Sequence, residues 1–230
     1  MKPTFLNHLI NLFYPQVCPA CGNLLTYNEE TVCISCRYLL PKTLYEKNPD
    51  NPLSQYFLGQ VDFHAVTAEF FFSKTGKVQQ LLHQLKYQGN KDAGFFLGQQ
   101  IGESIKNTEL FQNIDYLVPI PLHPKKEYLR GYNQSYIIAQ GVEDKTKIPI
   151  IKDCLYRRVF TSTQTKKSRE ERWENVKDIF DIKNDNLLIN KHILLIDDVL
   201  TTGATLLAAG KVLSKIPNIK ISAATAACTS

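Results

Sequence analysis

The 230-residue chain predicts an α/β protein whose parallel-sheet core is flanked by helices, with a small zinc-ribbon-like module at its N-terminal end. Three observations predict it. Short apolar runs alternate with stretches of helical period, the order that builds a parallel sheet. One such run leads straight into two adjacent carboxylates and a row of small residues, ILLIDDVLTTGAT. Two Cys-x-x-Cys pairs, Cys18/Cys21 and Cys33/Cys36, stand close together before the first strand.

Residues 5–13, FLNHLINLF, place their apolar side chains on one broad helical face. That face suits docking on the rest of the protein, with a membrane surface as the alternative. The cysteine segment runs to about residue 40, and a Pro- and Asn-rich connector follows. The expected division is therefore a helix and four-cysteine segment over 1–45, a linker over 46–60 and the α/β domain over 61–230. DFHAVTAEFFFS reads as a strand, or two strands at a bend. Residues 77–86 and 92–106 read as helices, and DYLVPIPLHP as a short buried strand ending in prolines. NQSYIIAQGVEDKT reads as a helix capped by Asn133. IPII reads as a short strand, and TSTQTKKSREERWENVKD as a hydrophilic loop turning helical near Arg169. The strand at 193–196, a helix over 204–215 and a strand over 219–226 complete the domain.

The composition sets bounds on function. An apolar fraction of 43% supports a real core, and 21% charged residues is ordinary, so the chain is not of the disordered class. No apolar run approaches the ~18 residues of a membrane-spanning helix. The N-terminus lacks a small-residue cleavage site. A cytoplasmic protein is expected, with the inner face of the membrane as a possible resting place for the first helix. The formal net charge is +5. Residues 123–172 hold twelve Lys/Arg against six Asp/Glu, a local excess of +6, so the rest of the chain sums to −1. This basic region suits phosphates, although a solvated face is the commoner use of such stretches.

Six cysteines in such a chain argue against a disulfide framework. Two tandem Cys-x-x-Cys pairs deliver four thiolates to one tetrahedral Zn²⁺, and a redox role for each pair is the competing reading. Four thiolates leave no open position, so Cys18, Cys21, Cys33 and Cys36 are expected to hold structural zinc. Cys154 and Cys228 stand alone as small hydrophobes.

A parallel strand ends at the sheet edge where ligands bind in open α/β folds. Asp197 and Asp198 at that edge can accept hydrogen bonds from a ribose diol or hold hydrated Mg²⁺. Thr201, Thr202, Gly203, Ala204 and Thr205 then enter a helix whose first N–H groups face an anion. A ribose bearing a 5-phosphate asks for both halves at once. A nucleotide P-loop fails on spacing, because six residues separate Gly203 from Gly210-Lys211, and no G-x-G-x-x-G follows a strand.

ILLIDDVLTTGAT resembles the phosphoribosyl-pyrophosphate (PRPP) signature of type I phosphoribosyltransferases. Together with the cysteine pairs, LLHQLKYQGN, VPIPLHPKKEYLRGYNQS and TQTKKSREERWENVKDIF resemble, in order, the ComF family of competence-associated proteins. The resemblance implies the type I phosphoribosyltransferase fold with an N-terminal zinc segment. It implies that Asp197 and Asp198 hold the ribose 2- and 3-hydroxyls, and that Thr201 to Thr205 hold the 5-phosphate. It assigns pyrophosphate to the backbone of Pro119, Ile120, Pro121 and Leu122, near Arg130 in the RGYNQ segment. Residues 163–172, with Lys166, Lys167, Arg169 and Arg172, fall where the superfamily has a mobile closing loop. The implied activity is Mg²⁺-dependent phosphoribosyl transfer with release of pyrophosphate, linked to DNA uptake. Hypoxanthine-type enzymes carry Asp where Thr201 stands, so a purine acceptor is disfavoured and the acceptor is open.

Two other readings compete with the enzyme. Basic residues interleaved with Tyr128, Tyr132, Tyr136, Tyr156, Phe160 and Trp173 suit single-stranded DNA, with the PRPP pocket kept for binding or sensing. A scaffold in which the zinc segment docks DNA-uptake machinery is the third. His123, between Leu122 and Pro124, is either a catalytic group or a turn cap.

Overall fold

The computed structural model describes residues 15–158, 179–183 and 185–229. The helix expected over 5–13, the closing-loop residues Lys166, Lys167, Arg169 and Arg172, and the aromatics Phe160 and Trp173 lie outside them.

In chain order the elements are α1 (Ile34–Leu39), β1 (Ala65–Phe72), α2 (Lys77–Tyr87), α3 (Lys91–Ile105), β2 (Tyr116–Pro119), α4 (Pro124–Arg130), α5 (Gln134–Thr146), β3 (Leu155–Arg157), β4 (Phe180–Ile182), β5 (His192–Leu200), α6 (Ala204–Leu213) and β6 (Lys220–Thr229). The main sheet has the order β1-β6-β5-β2, and every pairing in it is parallel. β3 and β4 form a separate antiparallel ribbon. The expected α/β class with a parallel sheet is therefore present.

The sheet is buried on both faces, as continuous apolar runs require. Leu194 and Ile196 join a cluster on one side with α2, α3 and α5, while Ile193 and Leu195 join a cluster on the other with Leu206, Ala209 and Leu213 of α6. α3 and α5 touch backbone to backbone. A Cβ on Gly98 would stand 1.9 Å from the Ile138 carbonyl oxygen, and one on Gly141 would stand 2.1 Å from that of Phe95. Only glycine permits that approach.

The cysteine module packs on the same domain. Cys18, Cys33, Cys36 and Leu40 share a buried cluster with Phe70 and Phe96, and the Arg37 guanidinium lies 5.4 Å from the centre of the Phe96 ring. Residues 41–43 then run beside β1, where Thr43 N–H donates to Glu69 O (3.1 Å) and Phe71 N–H to Pro41 O (2.8 Å).

Several local expectations change. The strand at 193–196 extends to His192–Leu200, because β6 keeps pairing with it as far as Leu200 opposite Cys228. IPII forms no strand among the described residues. It makes one bridge, Ile150 to Leu117, with Pro149 supplying only a carbonyl. DFHAVTAEFFFS holds one strand, and of the prolines that close DYLVPIPLHP, Pro119 ends β2 while Pro121 lies in the connection to α4. Pro124 opens α4, a position where its missing N–H costs nothing, and Gly131 closes it.

Candidate functional site

The site begins with a mismatch in strand length. β2 ends at Pro119, opposite Ile196, while β5 runs four residues further with β6 alongside. Asp197 and Asp198 occupy the first positions past that step, so the carboxylates stand within β5 rather than beyond its end. Both are buried, at 8% and 7% exposure.

Each carboxylate has its own support. Ser135 Oγ, fully buried at the start of α5, donates to Asp197 Oδ1 at 2.9 Å, and the Asp198 backbone N–H donates to the same oxygen at 2.8 Å. Lys86, on the last turn of α2, places its Nζ 3.0 Å from Asp198 Oδ2. Burial pushes the Asp197 carboxyl well above the usual range, and the neighbouring Asp198 charge adds to it. The Asp198 N–H, Ser135 and Lys86 pull the other way. Neither Lys86 nor Ser135 is among the sequence-predicted site residues. Lys86 lies within LLHQLKYQGN, but nothing in helical periodicity says which strand a helix-end lysine will reach.

The RGYNQS segment is the hub that gathers these parts. Arg130 donates to the Gln134 side chain and lies 5.8 Å from the centre of the Tyr87 ring. The Tyr132 hydroxyl donates to the Leu85 carbonyl, just before Lys86. Asn133 accepts from Ser135 N–H (3.0 Å), as the expected cap, and donates to Ile120 O (2.9 Å). One short segment thus ties the end of α2, the loop after β2 and Asp197 together.

Past the carboxylates, Val199 to Leu206 curl with Asp197 around a small concavity. Thr201, Thr202, Ala204 and Thr205 are exposed there and Gly203 is buried. Gly203 caps α6 at φ 73°, and a Cβ on it would press the Phe57 ring at 3.2 Å. A residue with a side chain would be strained at that φ and crowded as well.

Pro119, Pro121 and Leu122 instead line a separate cavity of about 260 Å³, with Asn133, Tyr136 and Tyr156 among its other walls. Ile120 N–H donates to Ile196 O at 2.9 Å, one residue before Asp197. His123 caps α4, its Nδ1 accepting from Lys125 N–H at 3.2 Å. Of the aromatics weighed for DNA, Tyr128 is 87% exposed and Tyr132 is buried. Tyr136 and Tyr156 are half-buried beneath the ammonium groups of Lys152 (4.5 Å) and Lys183 (4.9 Å).

The second candidate site is the cysteine cluster. All four sulfurs lie within 4.8 Å of one another, and Cys21 Sγ is 3.8 Å from Cys33 Sγ. A tetrahedron with Zn–S arms of ~2.3 Å has edges of about 3.8 Å, so the cluster fits a four-thiolate metal. Burial raises the Cys18 thiol, but backbone N–H groups of Cys33, Ala20 and Cys21 outweigh it and bring it to about 7. Burial and the neighbouring thiols push Cys36 up strongly.

The chain thus joins a four-cysteine module to a parallel α/β sheet with paired carboxylates and a hydroxyl-rich loop at its carboxyl edge. No family model matches the chain. The chain is 28% identical over 148 residues to Competence protein F of Haemophilus influenzae, covering 64% of this chain and 59% of that one. It is 40% identical over 97 residues to Competence protein ComFC of Bacillus subtilis, covering 42% and 37%. It is 27% identical over 128 residues to the DNA utilization protein YhgH of Escherichia coli K12, covering 54% and 56%. The chain is thus a relative of ComF-type competence proteins, and its matches span between about a third and three fifths of their lengths. Among solved structures, a hypothetical protein from Neisseria gonorrhoeae with bound ppGpp matches at 14% identity and TM-score 0.37, covering 58% of this chain and 66% of that one. A Staphylococcus aureus hypoxanthine phosphoribosyltransferase matches at 14% and 0.37, covering 59% and 62%. Among the described residues, no helix is long and apolar enough to cross a membrane.

Proposed function

We propose that this chain binds PRPP with Mg²⁺ at the carboxyl edge of β5 and transfers its phosphoribosyl group to an acceptor, releasing pyrophosphate. The observation that carries this reading is the step beyond Pro119, where two buried carboxylates are followed at once by the Thr201–Thr205 loop. Asp197 and Asp198 accept from the ribose 2- and 3-hydroxyls. The backbone and hydroxyls of Thr201, Thr202, Gly203, Ala204 and Thr205 take the 5-phosphate. Oxygen donors of this kind suit Mg²⁺, which when bound neutralises charge on the phosphates.

In the transfer, a lone pair of the acceptor forms a bond to the anomeric carbon. The bond from that carbon to the pyrophosphate oxygen breaks, and its electrons leave with pyrophosphate. The Leu122 N–H and the guanidinium of Arg130 receive the departing charge, since Pro119 and Pro121 have no N–H and that of Ile120 is given to Ile196 O. Cys18, Cys21, Cys33 and Cys36 hold structural zinc. A role in the uptake or use of DNA is supported by the names of its relatives, a competence protein and a DNA utilization protein.

The test is a calorimetric titration of PRPP with Mg²⁺ against wild type and the Asp197→Asn/Asp198→Asn variant. The variant is expected to lose at least about tenfold in affinity, roughly 1.4 kcal/mol. Equal binding by both would sink the assignment.

A second reading is a non-catalytic competence factor that binds single-stranded DNA and keeps the pocket for sensing. The relatives named for DNA utilization and the exposed Tyr128 beside Lys125 and Lys126 on α4 support it. Strand affinity would then fall steeply with salt and weaken when Lys166, Lys167 and Arg169 are changed together. Affinity indifferent to both would remove this reading.

A further inference from the structure

Lys86 has no part in the reading above, yet it makes the ion pair that the site depends on. Two adjacent carboxylates buried side by side repel each other and lose hydration, so they require compensation from the protein. Ser135 and a backbone N–H serve Asp197, while the ammonium of Lys86, 3.0 Å away, serves Asp198 Oδ2. On the reading above, a ribose hydroxyl or a divalent cation would draw on the same Asp198 carboxylate. An ammonium and Mg²⁺ on one carboxylate would repel, so the ligand and Lys86 compete for it.

The surroundings let Lys86 move without its helix moving. Tyr132 holds the Leu85 carbonyl on one side, and the Tyr87 ring on the other lies near the Arg130 guanidinium. The backbone is anchored at Leu85, and beyond it a flexible four-carbon arm carries the charge. Lys86 is a quarter exposed, so its arm has solvent to move into.

We propose that Lys86 is the resident counter-ion of the diol site: it holds Asp198 while the site is empty, leaves when a ribose diol or its divalent cation arrives, and then lends its charge to the ligand's phosphates. This rests on reading the carboxylate pair as the PRPP site. Lys86 acts as a positioning residue in the empty state and as a phosphate partner in the loaded one.

Opposite changes in two affinities test it. At pH 8, Mn²⁺ alone serves as the Mg²⁺ probe, followed by electron paramagnetic resonance, and PRPP with Mg²⁺ is titrated by calorimetry. Lys86→Met is expected to bind Mn²⁺ about threefold or more tightly, because its competitor is gone, and PRPP about tenfold more weakly. Lys86→Arg is expected to restore both values toward wild type. Unchanged Mn²⁺ affinity in Lys86→Met would overturn the placeholder role, and unchanged PRPP affinity would overturn the phosphate role. If both affinities fall and Lys86→Arg does not recover them, Lys86 is merely structural and the proposal fails. Lys86→Gln, measured in both arms, decides the matter if Lys86→Met does not fold. A wild type that binds Mn²⁺ but not PRPP overturns the PRPP reading, and the Mn²⁺ arm still decides whether Lys86 guards the carboxylates.

Discussion

The cysteine module and the carboxylate edge solve the same electrostatic problem in different ways. Each gathers like groups that repel once ionised: four sulfurs within 4.8 Å in one, two buried carboxylates in the other. The sulfurs draw on backbone N–H groups and on one another, with Cys33 N–H 3.5 Å from Cys18 Sγ and Cys36 N–H 3.4 Å from Cys33 Sγ. The carboxylates draw on an ammonium group, Lys86, from another helix. A cluster of thiolates calls for a metal to complete it. A carboxylate pair with its own cation can fold empty and wait for a ligand.

The largest expected effect breaks the first half of that contrast. Stripping the metal with a strong chelator is expected to release one equivalent of zinc and to open residues 16–40 to hydrogen exchange. Structural Zn²⁺ contributes about 10–16 kcal/mol in small zinc modules. Because Cys36 and Leu40 share a core with Phe96, exchange in α3 should quicken too, while β5 stays protected. Protection of 16–40 that survives the chelator would show that the module stands without metal.

Next in size is the α3–α5 contact that aims Ser135 at Asp197. A methyl group at residue 98 would meet the Ile138 carbonyl oxygen far inside contact distance. Gly98→Ala is expected to destabilise the protein by about 3 kcal/mol or more, through forced separation of the two helices. Denaturant unfolding measures it, and a change below about 1 kcal/mol would mean that α5 can shift freely.

What the sequence made legible follows the range of the interactions concerned. ILLIDDVLTTGAT showed its strand, its carboxylates and its hydroxyl-rich turn into a helix, because strand, cap and loop are local matters of adjacent residues. Asn133 was legible as a cap for the same reason. The cysteine pairs were legible because each pair is a local turn and the four sulfurs come together at a spacing that suits one tetrahedral metal. The length of β5 was not, since Val199 and Leu200 stay in the sheet only because β6 runs beside them. Lys86 and Ser135 were not, since their partners lie 112 and 62 positions away along the chain. The α4 helix could have been read from Pro124 and Gly131, which sit at the start and stop positions that favour them. The separate cavity behind Pro119, Pro121 and Leu122 depends on how β3 lies against α5, which periodicity does not encode.

The two ends of β5 give a smaller, sharper contrast in pH. At the amino end, His192 is buried with its Nε2 2.9 Å from Ser222 Oγ, and burial, Lys220 and His64 lower it to about 4. A lowered histidine binds fewer protons folded than unfolded. Its contribution is present above the ordinary value of 6.5 and is lost as pH falls toward 4. That loss amounts to roughly 3 kcal/mol. Asp197 at the carboxyl end is raised, so it binds more protons folded than unfolded. Its contribution is present at low pH and is lost as pH rises above the usual carboxylate range. Replacing His192 with Gln should therefore flatten the loss of stability between pH 6.5 and pH 4. Asp197→Asn should flatten a loss of the opposite slope at higher pH. Urea midpoints across pH 4 to 8 measure both, and parallel slopes in the two variants would refute the contrast.

The smallest effect isolates Ser135 from Lys86. Ser135→Ala removes one hydrogen bond to Asp197 Oδ1 and leaves the Lys86–Asp198 pair intact. Because the lost bond favoured the ionised carboxylate, the Asp197 carboxyl should rise further and need a higher pH to charge. On the proposed function, PRPP affinity at pH 7 should fall about fivefold, roughly 1 kcal/mol. Raising the pH to 8.5 should recover part of that loss. A purely structural serine would give a deficit that does not change with pH. The pH dependence of the deficit, rather than its size, therefore decides whether Ser135 acts through the charge on Asp197.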